Sequence, residues 1–128
     1  LEQMVRLVGV DALPDRQRWV IEVAGLLKEG VLRQNALHDV DAFCEPAKQV
    51  RLLALFVELH DAGLEAVEAG VPLMRLREDL DRATLTRLKE TVPNGEEERI
   101  DQAWREAQRA IERLTREAEQ DRAKGAAA

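Results

Sequence analysis

The last third of the chain repeats apolar residues at intervals of four and three, and this repeat limits the possible folds more than any other feature. The spacing places one continuous apolar stripe along a helix, as the a and d positions of a heptad do. The stripe comprises Ile100, Trp104, Ala107, Ile111, Leu114 and Ala118. A single helix of this kind needs a second apolar surface to cover it. Residues 93–123 are therefore predicted to form an amphipathic helix packed on a bundle, and residues 124–128 a frayed tail.

The start of this helix has its own signals in the sequence. Residues 93–95, Pro-Asn-Gly, separate it from the preceding part of the chain. Asn94 is predicted to cap the helix, and Glu97, three residues later, to complete a capping box. The three glutamates at residues 96–98 suit the positive end of a helix dipole.

The first 33 residues have the pattern of two helices joined by a tight turn. The apolar residues of the first helix follow the spacing i, i+3, i+4, i+7. They are Leu1, Met4, Val5 and Val8. Gly9 is predicted to end this helix and Pro14 to begin the second, because proline is tolerated in a first helical turn. The pattern predicts a helix-turn-helix hairpin with its tip at residues 11–17.

A long helix is predicted to begin at Pro46, after a connecting turn over residues 34–45. Residues 52–57 are apolar on every face of this helix, so it is predicted to be buried on all sides at the centre of the domain. It is expected to end near Gly70, and a leucine-spaced helix follows. No stretch alternates apolar and polar residues in the manner of a strand. We therefore predict an all-α fold, with residues 1–92 forming a helical bundle.

The charges and the titratable side chains exclude several classes of function. Lys and Arg number 19 and Asp and Glu 25, a net charge of −6, so the chain lacks the basic face that nucleic acids require. A single cysteine fits a reducing, cytoplasmic setting, and no apolar run reaches the ~18 residues of a membrane helix. His38 and His60 have no second ligand at helical spacing, so no metal site is predicted. These residues alone indicate a helical bundle without chemistry of its own.

Three spaced motifs in the first half of the chain resemble one known family. They are L-x-x-x-V-x-L-V-G-x-D-A-L in residues 1–13, Q-N-A in residues 34–36 and F-C-x-P-x-K-Q in residues 43–49. In this order and spacing they resemble the C-terminal helical domain of the catalytic A subunit of V-type ATPases and of prokaryotic A-type rotary ATPases. The resemblance is close from residue 1 to about residue 75, over half of the chain, and weaker after Leu76.

The resemblance implies a contact between the hairpin tip and the rotating central shaft. In the related F-type enzymes an acidic segment of the catalytic chain touches the shaft at this place. The matching residues here are Asp11, Ala12, Leu13, Pro14, Asp15 and Arg16. Only two of them are carboxylates and one is an arginine, so we expect steric contact through Ala12, Leu13 and Pro14 rather than attraction between charges.

The resemblance also implies a nucleotide contact in the turn before the long helix. In that family an aromatic residue at the position of Phe43 helps to cover the adenine of bound nucleotide, and a flat ring offers stacking area to a base. Cys44 matches a cysteine that, in eukaryotic relatives, can pair with a cysteine of the phosphate loop. Without the resemblance, Cys44 is interpreted as a small buried hydrophobe and Phe43 as a plug under the loop.

For the whole enzyme, the resemblance implies a rotary ATP synthase or ATPase that translocates protons or sodium ions. The parent subunit would bind ATP or ADP with magnesium, neighbour non-catalytic B subunits in an A3B3 hexamer and lie on the cytoplasmic face of the membrane without inserting into it. This chain begins without Met and contains no phosphate loop of the form G-x-x-x-x-G-K-[ST]. It is therefore expected to be part of a longer protein, with no cofactor and no ATPase activity of its own.

A free-standing helical adaptor is the alternative interpretation. In that case the apolar stripe from Ile100 to Ala118 would join two copies of the chain, and no catalytic activity would be present. The residues that precede Leu1 distinguish the two interpretations, because an upstream phosphate loop would establish the first.

Overall fold

The computed structural model describes residues 13–32 and 45–127, and every regular element in these two ranges is helical. In chain order the elements are α1 (Asp15–Leu27), a π-helical turn (Lys28–Leu32), α2 (Pro46–Glu68), α3 (Leu73–Asp79), α4 (Arg82–Thr86), α5 (Leu88–Thr91) and α6 (Glu98–Ala127). The all-α prediction is thus confirmed. The first helix of the predicted hairpin, within residues 1–12, lies outside the described residues.

The long helix α2 is the centre of the bundle, because it contacts both α1 and α6. In addition, α6 contacts α3, and α1 contacts the short helices α3 and α4. The side chains between these helices form one continuous apolar core. Its members include Trp19, Val23, Leu26, Leu52, Leu55, Phe56, Leu59, Leu76, Leu85, Leu88, Ile100, Ile111 and Leu114. Helices as short as α4 and α5 are unstable alone in water, so this shared burial stabilises them.

The helices α1 and α2 run antiparallel, and two glycines allow α1 and the π-helical turn after it to approach α2 closely. Gly63 of α2 lies under Trp19 of α1, so a Cβ atom on Gly63 would fall 2.1 Å from the indole ring. The fully buried Trp19 also donates a hydrogen bond from Nε1 to the carbonyl oxygen of His60, at 3.0 Å. In the π-helical turn that follows α1, a Cβ atom on Gly30 would fall 2.8 Å from the ring of Phe56. The two glycines therefore set how closely α1 and the π-helical turn approach α2.

The prediction that α2 is buried on all sides is wrong. Val50, Leu53 and Val57 are 63%, 38% and 61% exposed. The buried positions repeat at helical spacing and lie on one face of α2. They are Lys48, Leu52, Leu55, Phe56, Leu59, Gly63 and Ala66. Among the described residues, this face contacts α1, the π-helical turn and α6, and its Lys48 contacts α5. Because residues 52–57 are all apolar, the sequence did not show which of them are buried.

The apolar stripe of α6 packs against the bundle. Its residues are buried or partly buried in the core: Ile100, Trp104, Ala107, Ile111, Leu114 and Ala118. The covering surfaces are provided by α2 and α3. The stripe is therefore used within the chain and is not free to join two copies, as the adaptor interpretation requires. The helix continues as far as Ala127.

The start of α6 differs from the predicted capping box. Residues 93–96 form a turn in which Gly95 takes a φ of +91°, a conformation that favours glycine. The Oδ1 atom of Asn94 accepts a hydrogen bond from the backbone N–H of Glu45 at 3.2 Å, so Asn94 does not cap α6. The helix begins at Glu98. The amide of Asn94 therefore joins two distant parts of the chain.

The short helix α4 is capped by Asp81. Its carboxylate accepts hydrogen bonds from the hydroxyl of Thr84 at 2.7 Å and from the backbone N–H of Thr84 at 3.1 Å. The hydroxyl contact first, and then the backbone contact, lower the pKa of Asp81 below its ordinary value, because both stabilise the ionised carboxylate. The spacing Asp-x-x-Thr is typical of a helix start.

Replacing Gly63 with alanine is expected to destabilise the fold, because the new methyl group would overlap the ring of Trp19. Overpacking a core site costs about 1–3 kcal/mol, which exceeds the gain of about 1 kcal/mol from the helix propensity of alanine. Gly25→Ala is the matched control on α1, since a Cβ atom there meets nothing within 4 Å. This control should be neutral or stabilise the fold by up to about 1 kcal/mol. Urea unfolding followed by circular dichroism measures both, and equal stability of the two variants would contradict the account.

Candidate functional site

The predicted hairpin tip is only partly accessible. Residues 11–12 lie outside the described residues. Leu13 is 6% exposed, so its side chain points inward. Pro14 and Arg16 are exposed. In the described part of the tip, these last two residues therefore provide the accessible surface.

Asp15, also a predicted tip residue, connects two helices. Its Oδ2 atom accepts a hydrogen bond from the backbone N–H of Leu73 at 3.1 Å, and Leu73 is the first residue of α3. The first N–H groups of a helix have no partner within it, so the carboxylate supplies one. Its other oxygen lies 3.5 Å from the guanidinium of Arg18. Asp15 therefore fixes the start of α1 to the start of α3.

Arg16 contributes little to stability. Its Nη1 atom lies 3.7 Å from Oε1 of Glu68, and the two side chains are 65% and 54% exposed. Ion pairs at such exposed positions contribute about 0–1 kcal/mol and are screened by salt. The guanidinium group thus remains largely accessible beside the tip.

Glu22 attaches the middle of α1 to two short helices. Its side chain is only 16% exposed, and its carboxylate oxygens lie 2.9 Å from Nη2 of Arg82 and 3.7 Å from Nε of Arg77. Arg77 belongs to α3 and Arg82 begins α4. With the contact between Asp15 and α3, these ion pairs hold α1 along the bundle, so α1 is not a projecting arm.

Phe43 and Cys44, the predicted pocket lip, lie outside the described residues. The residues that follow them are fixed in place. The backbone N–H of Glu45 donates to Asn94, and Pro46 is the first residue of α2. The start of α2 is therefore joined to the turn that precedes α6.

Two lysines join the elements on either side of the predicted lip. Lys48 of α2 is 5% exposed, and its Nζ donates to the carbonyl oxygen of Lys89. The Nζ of Lys89 donates in turn to the carbonyl oxygen of Val31 at 3.2 Å. Both acceptors belong to short helical elements, whose last carbonyl groups have no partner within the helix. Sequence spacing did not indicate these contacts, because their partners are 41 and 58 residues apart.

Two other kinds of site are not found in the described residues. No group of three or more His, Cys, Asp or Glu side chains within residues 13–32 and 45–127 is placed to hold a metal ion. His60 instead forms a surface hydrogen bond through Nδ1 with Oδ1 of Asp61, at 3.0 Å. Within the same ranges, no helix combines the length and the apolar character needed to cross a bilayer.

Comparison with known proteins points to one family. Residues 1–77 match the family described as the C-terminal domain of V and A type ATP synthase. The chain is 37% identical over 120 residues to the A subunit of the A-type ATP synthase of Staphylothermus marinus, which covers 93% of the chain and 20% of that protein. It is 41% identical over 117 residues to the V-type ATP synthase alpha chain of Nitrosococcus oceani, covering 91% and 20%. The chain thus spans about one fifth of the length of these relatives.

Replacing Asp15 with alanine is expected to destabilise the fold by about 1 kcal/mol, the usual cost of losing a helix cap, because Leu73 loses its acceptor. Asp15→Asn keeps an acceptor oxygen and should cost less. Arg16→Ala is the neighbouring control and should change stability by less than about 0.5 kcal/mol, as surface substitutions do. Urea unfolding at constant pH and salt measures all three. A loss for Arg16→Ala as large as that for Asp15→Ala would contradict the structural role of the carboxylate.

Proposed function

Because this chain belongs to the family of C-terminal domains of V- and A-type ATP synthases, we propose that it is the shaft-facing end of the catalytic A subunit of such an enzyme. The parent subunit then couples ATP hydrolysis or synthesis to rotation of a central stalk and to translocation of protons or sodium ions. The observation that supports this most strongly is the family match over residues 1–77, since this range contains both the predicted tip and the predicted lip.

The described part of the tip has the stiffness that a contact with a rotating shaft requires. Leu13 is buried and Asp15 is bound to the start of α3, so the turn cannot bend without disturbing the bundle. Pro14 adds a fixed φ angle at the surface. Exposed charges contribute about 0–1 kcal/mol each and are screened by salt. We therefore assign the shaft contact to the bulk of Ala12 and Pro14, with Leu13 supporting the turn from inside.

We assign Phe43 and Cys44 to the lip of the adenine pocket, whose other walls belong to the part of the subunit outside this chain. A turn mounted on a rigid helix suits this role, because it can hold a ring against a base without moving. The contacts of Lys48 and Asn94 with distant carbonyl and N–H groups support that rigidity. Stacking of Phe43 on the adenine requires no particular hydrogen-bond geometry.

In the parent enzyme we place ATP or ADP with magnesium at this pocket, B subunits beside the catalytic chains in an A3B3 hexamer, and the assembly at the cytoplasmic face of the membrane. This chain contains no phosphate loop, so we propose that it transmits force and has no ATPase activity alone. Magnesium-dependent ATP turnover by the purified chain would contradict this.

Removing the charges of Asp11 and Arg16 is expected to leave torque largely intact, whereas loosening the backbone of the tip is expected to lower it. The charge variant combines Asp11→Asn with Arg16→Gln. The loosened variant combines Ala12→Gly with Pro14→Gly, which removes bulk and adds backbone freedom. Both leave unchanged Leu13, which is buried, and Asp15, which accepts a hydrogen bond from the start of α3. Single-molecule rotation of the assembled complex measures the torque.

The two variants distinguish charge, bulk and the absence of any contact. If the charge variant loses as much torque as the loosened variant, electrostatic attraction is the basis of the contact and the steric assignment is wrong. If neither variant changes the torque, the tip does not transmit force and the shaft-facing role is wrong.

In the intact subunit, Phe43→Ala is expected to weaken nucleotide binding by about 1–3 kcal/mol, the range for losing one base–aromatic stack. The free energy of unfolding should change little. Phe56→Ala is the contrast, because Phe56 is 2% exposed in the core and its truncation should cost about 3–5 kcal/mol of stability. Equilibrium titration with ATP and urea unfolding measure the two effects. Unchanged nucleotide affinity in Phe43→Ala would rule out the lip assignment.

A further inference from the structure

The outward face of α2 changes from apolar to acidic along the helix. In the first half its exposed residues include Val50, Leu53, Ala54 and Val57. In the second half they include Glu58, Asp61, Glu65 and Glu68. The acidic half is an ordinary solvated surface. The apolar half has the spacing i, i+3, i+4, i+7 of a helix face that is covered by another element.

We call the four residues Val50, Leu53, Ala54 and Val57 the apolar patch of α2. Three of them are among the exposed large hydrophobic side chains of the described residues, and the other such side chain is Met74 of α3. Single exposed hydrophobic residues, such as Met74, are normal on protein surfaces. A row of adjacent ones is typical of an interaction surface.

We infer that the apolar patch of α2 packs against an apolar surface on the nucleotide-holding part of the parent subunit, outside this chain. The inference rests on the proposed function, because it takes the turn before Pro46 to face the nucleotide. Val50 lies four residues, or ~6 Å, along the helix from Pro46, so the patch begins beside that turn. The chain spans about one fifth of the relatives' length, so a large remainder of the subunit is present to cover the patch.

Thiol labelling of Val50→Cys tests the inference. The matched control is Met74→Cys, because Met74 is 55% exposed and Val50 is 63% exposed. Each variant is labelled with a small water-soluble maleimide in three states: the 128-residue chain, the assembled complex and the purified full-length subunit. The rate at each site is read by mass spectrometry of the peptide that contains it.

We expect the thiol introduced by Val50→Cys to react at least about tenfold more slowly in the full-length subunit than in the chain, since a buried thiol reacts only from opened states. The thiol introduced by Met74→Cys, the control, should react at similar rates in the full-length subunit and in the chain. Equal rates at position 50 would overturn the inference. Slow reaction already in the 128-residue chain would also overturn it, because a segment of this chain then covers the patch.

Slow reaction in the assembled complex but not in the isolated subunit would overturn it as well, because a neighbouring subunit then covers the patch. None of these rates depends on rotation or on ATP turnover. A failure of the labelling prediction is therefore distinguishable from a failure of the proposed shaft contact, which the torque measurement tests.

Discussion

The indole ring of Trp19 lies directly on Gly63, and this contact determines how closely α1 and α2 approach each other. No side chain other than hydrogen fits at residue 63 while the ring keeps its place. The hydrogen bond from Trp19 to the carbonyl oxygen of His60 satisfies the one polar atom of the buried ring. With this separation fixed, the start of α1 lies beside Leu73, and the π-helical turn that follows α1 lies beside Phe56. Residues 13–17 of the predicted tip therefore have a defined position relative to the long central helix.

The sequence predicted α6 better than it predicted α2, and the reason is the contrast between apolar and polar residues. The stripe of α6 stands out because charged residues separate its members, so its period of about 3.5 is visible. In α2, residues 52–57 are apolar on every face, and the position of the core depends on where α1 and α6 lie. Burial of Leu52 and exposure of Leu53 follow from those tertiary contacts, which no local pattern contains.

Local sequence patterns could not predict the polar contacts of the candidate site, because these contacts join residues that are far apart in the chain. Asp15 has the position of a helix-dipole residue in the sequence, yet its partner is the N–H of Leu73, 58 residues away. Asn94 has the position of a helix cap, yet it accepts from Glu45, 49 residues away. In both cases the short polar side chain lies at a helix start or in a turn. The fold determines which unpaired backbone group each side chain binds.

These contacts also determine how the bundle could move under a force at its tip. A bend within α1 would have to break the contacts of Asp15 and Glu22 with α3 and α4, and separate the ring of Trp19 from Gly63. Packed interiors resist such compression and shear. Rigid displacement of the bundle breaks none of these contacts, and domain movements usually concentrate their dihedral changes in connecting loops. A force applied at Pro14 would therefore displace α1 and α2 together. In the packing inferred above for the apolar patch of α2, that displacement would reach the nucleotide-holding part of the subunit directly.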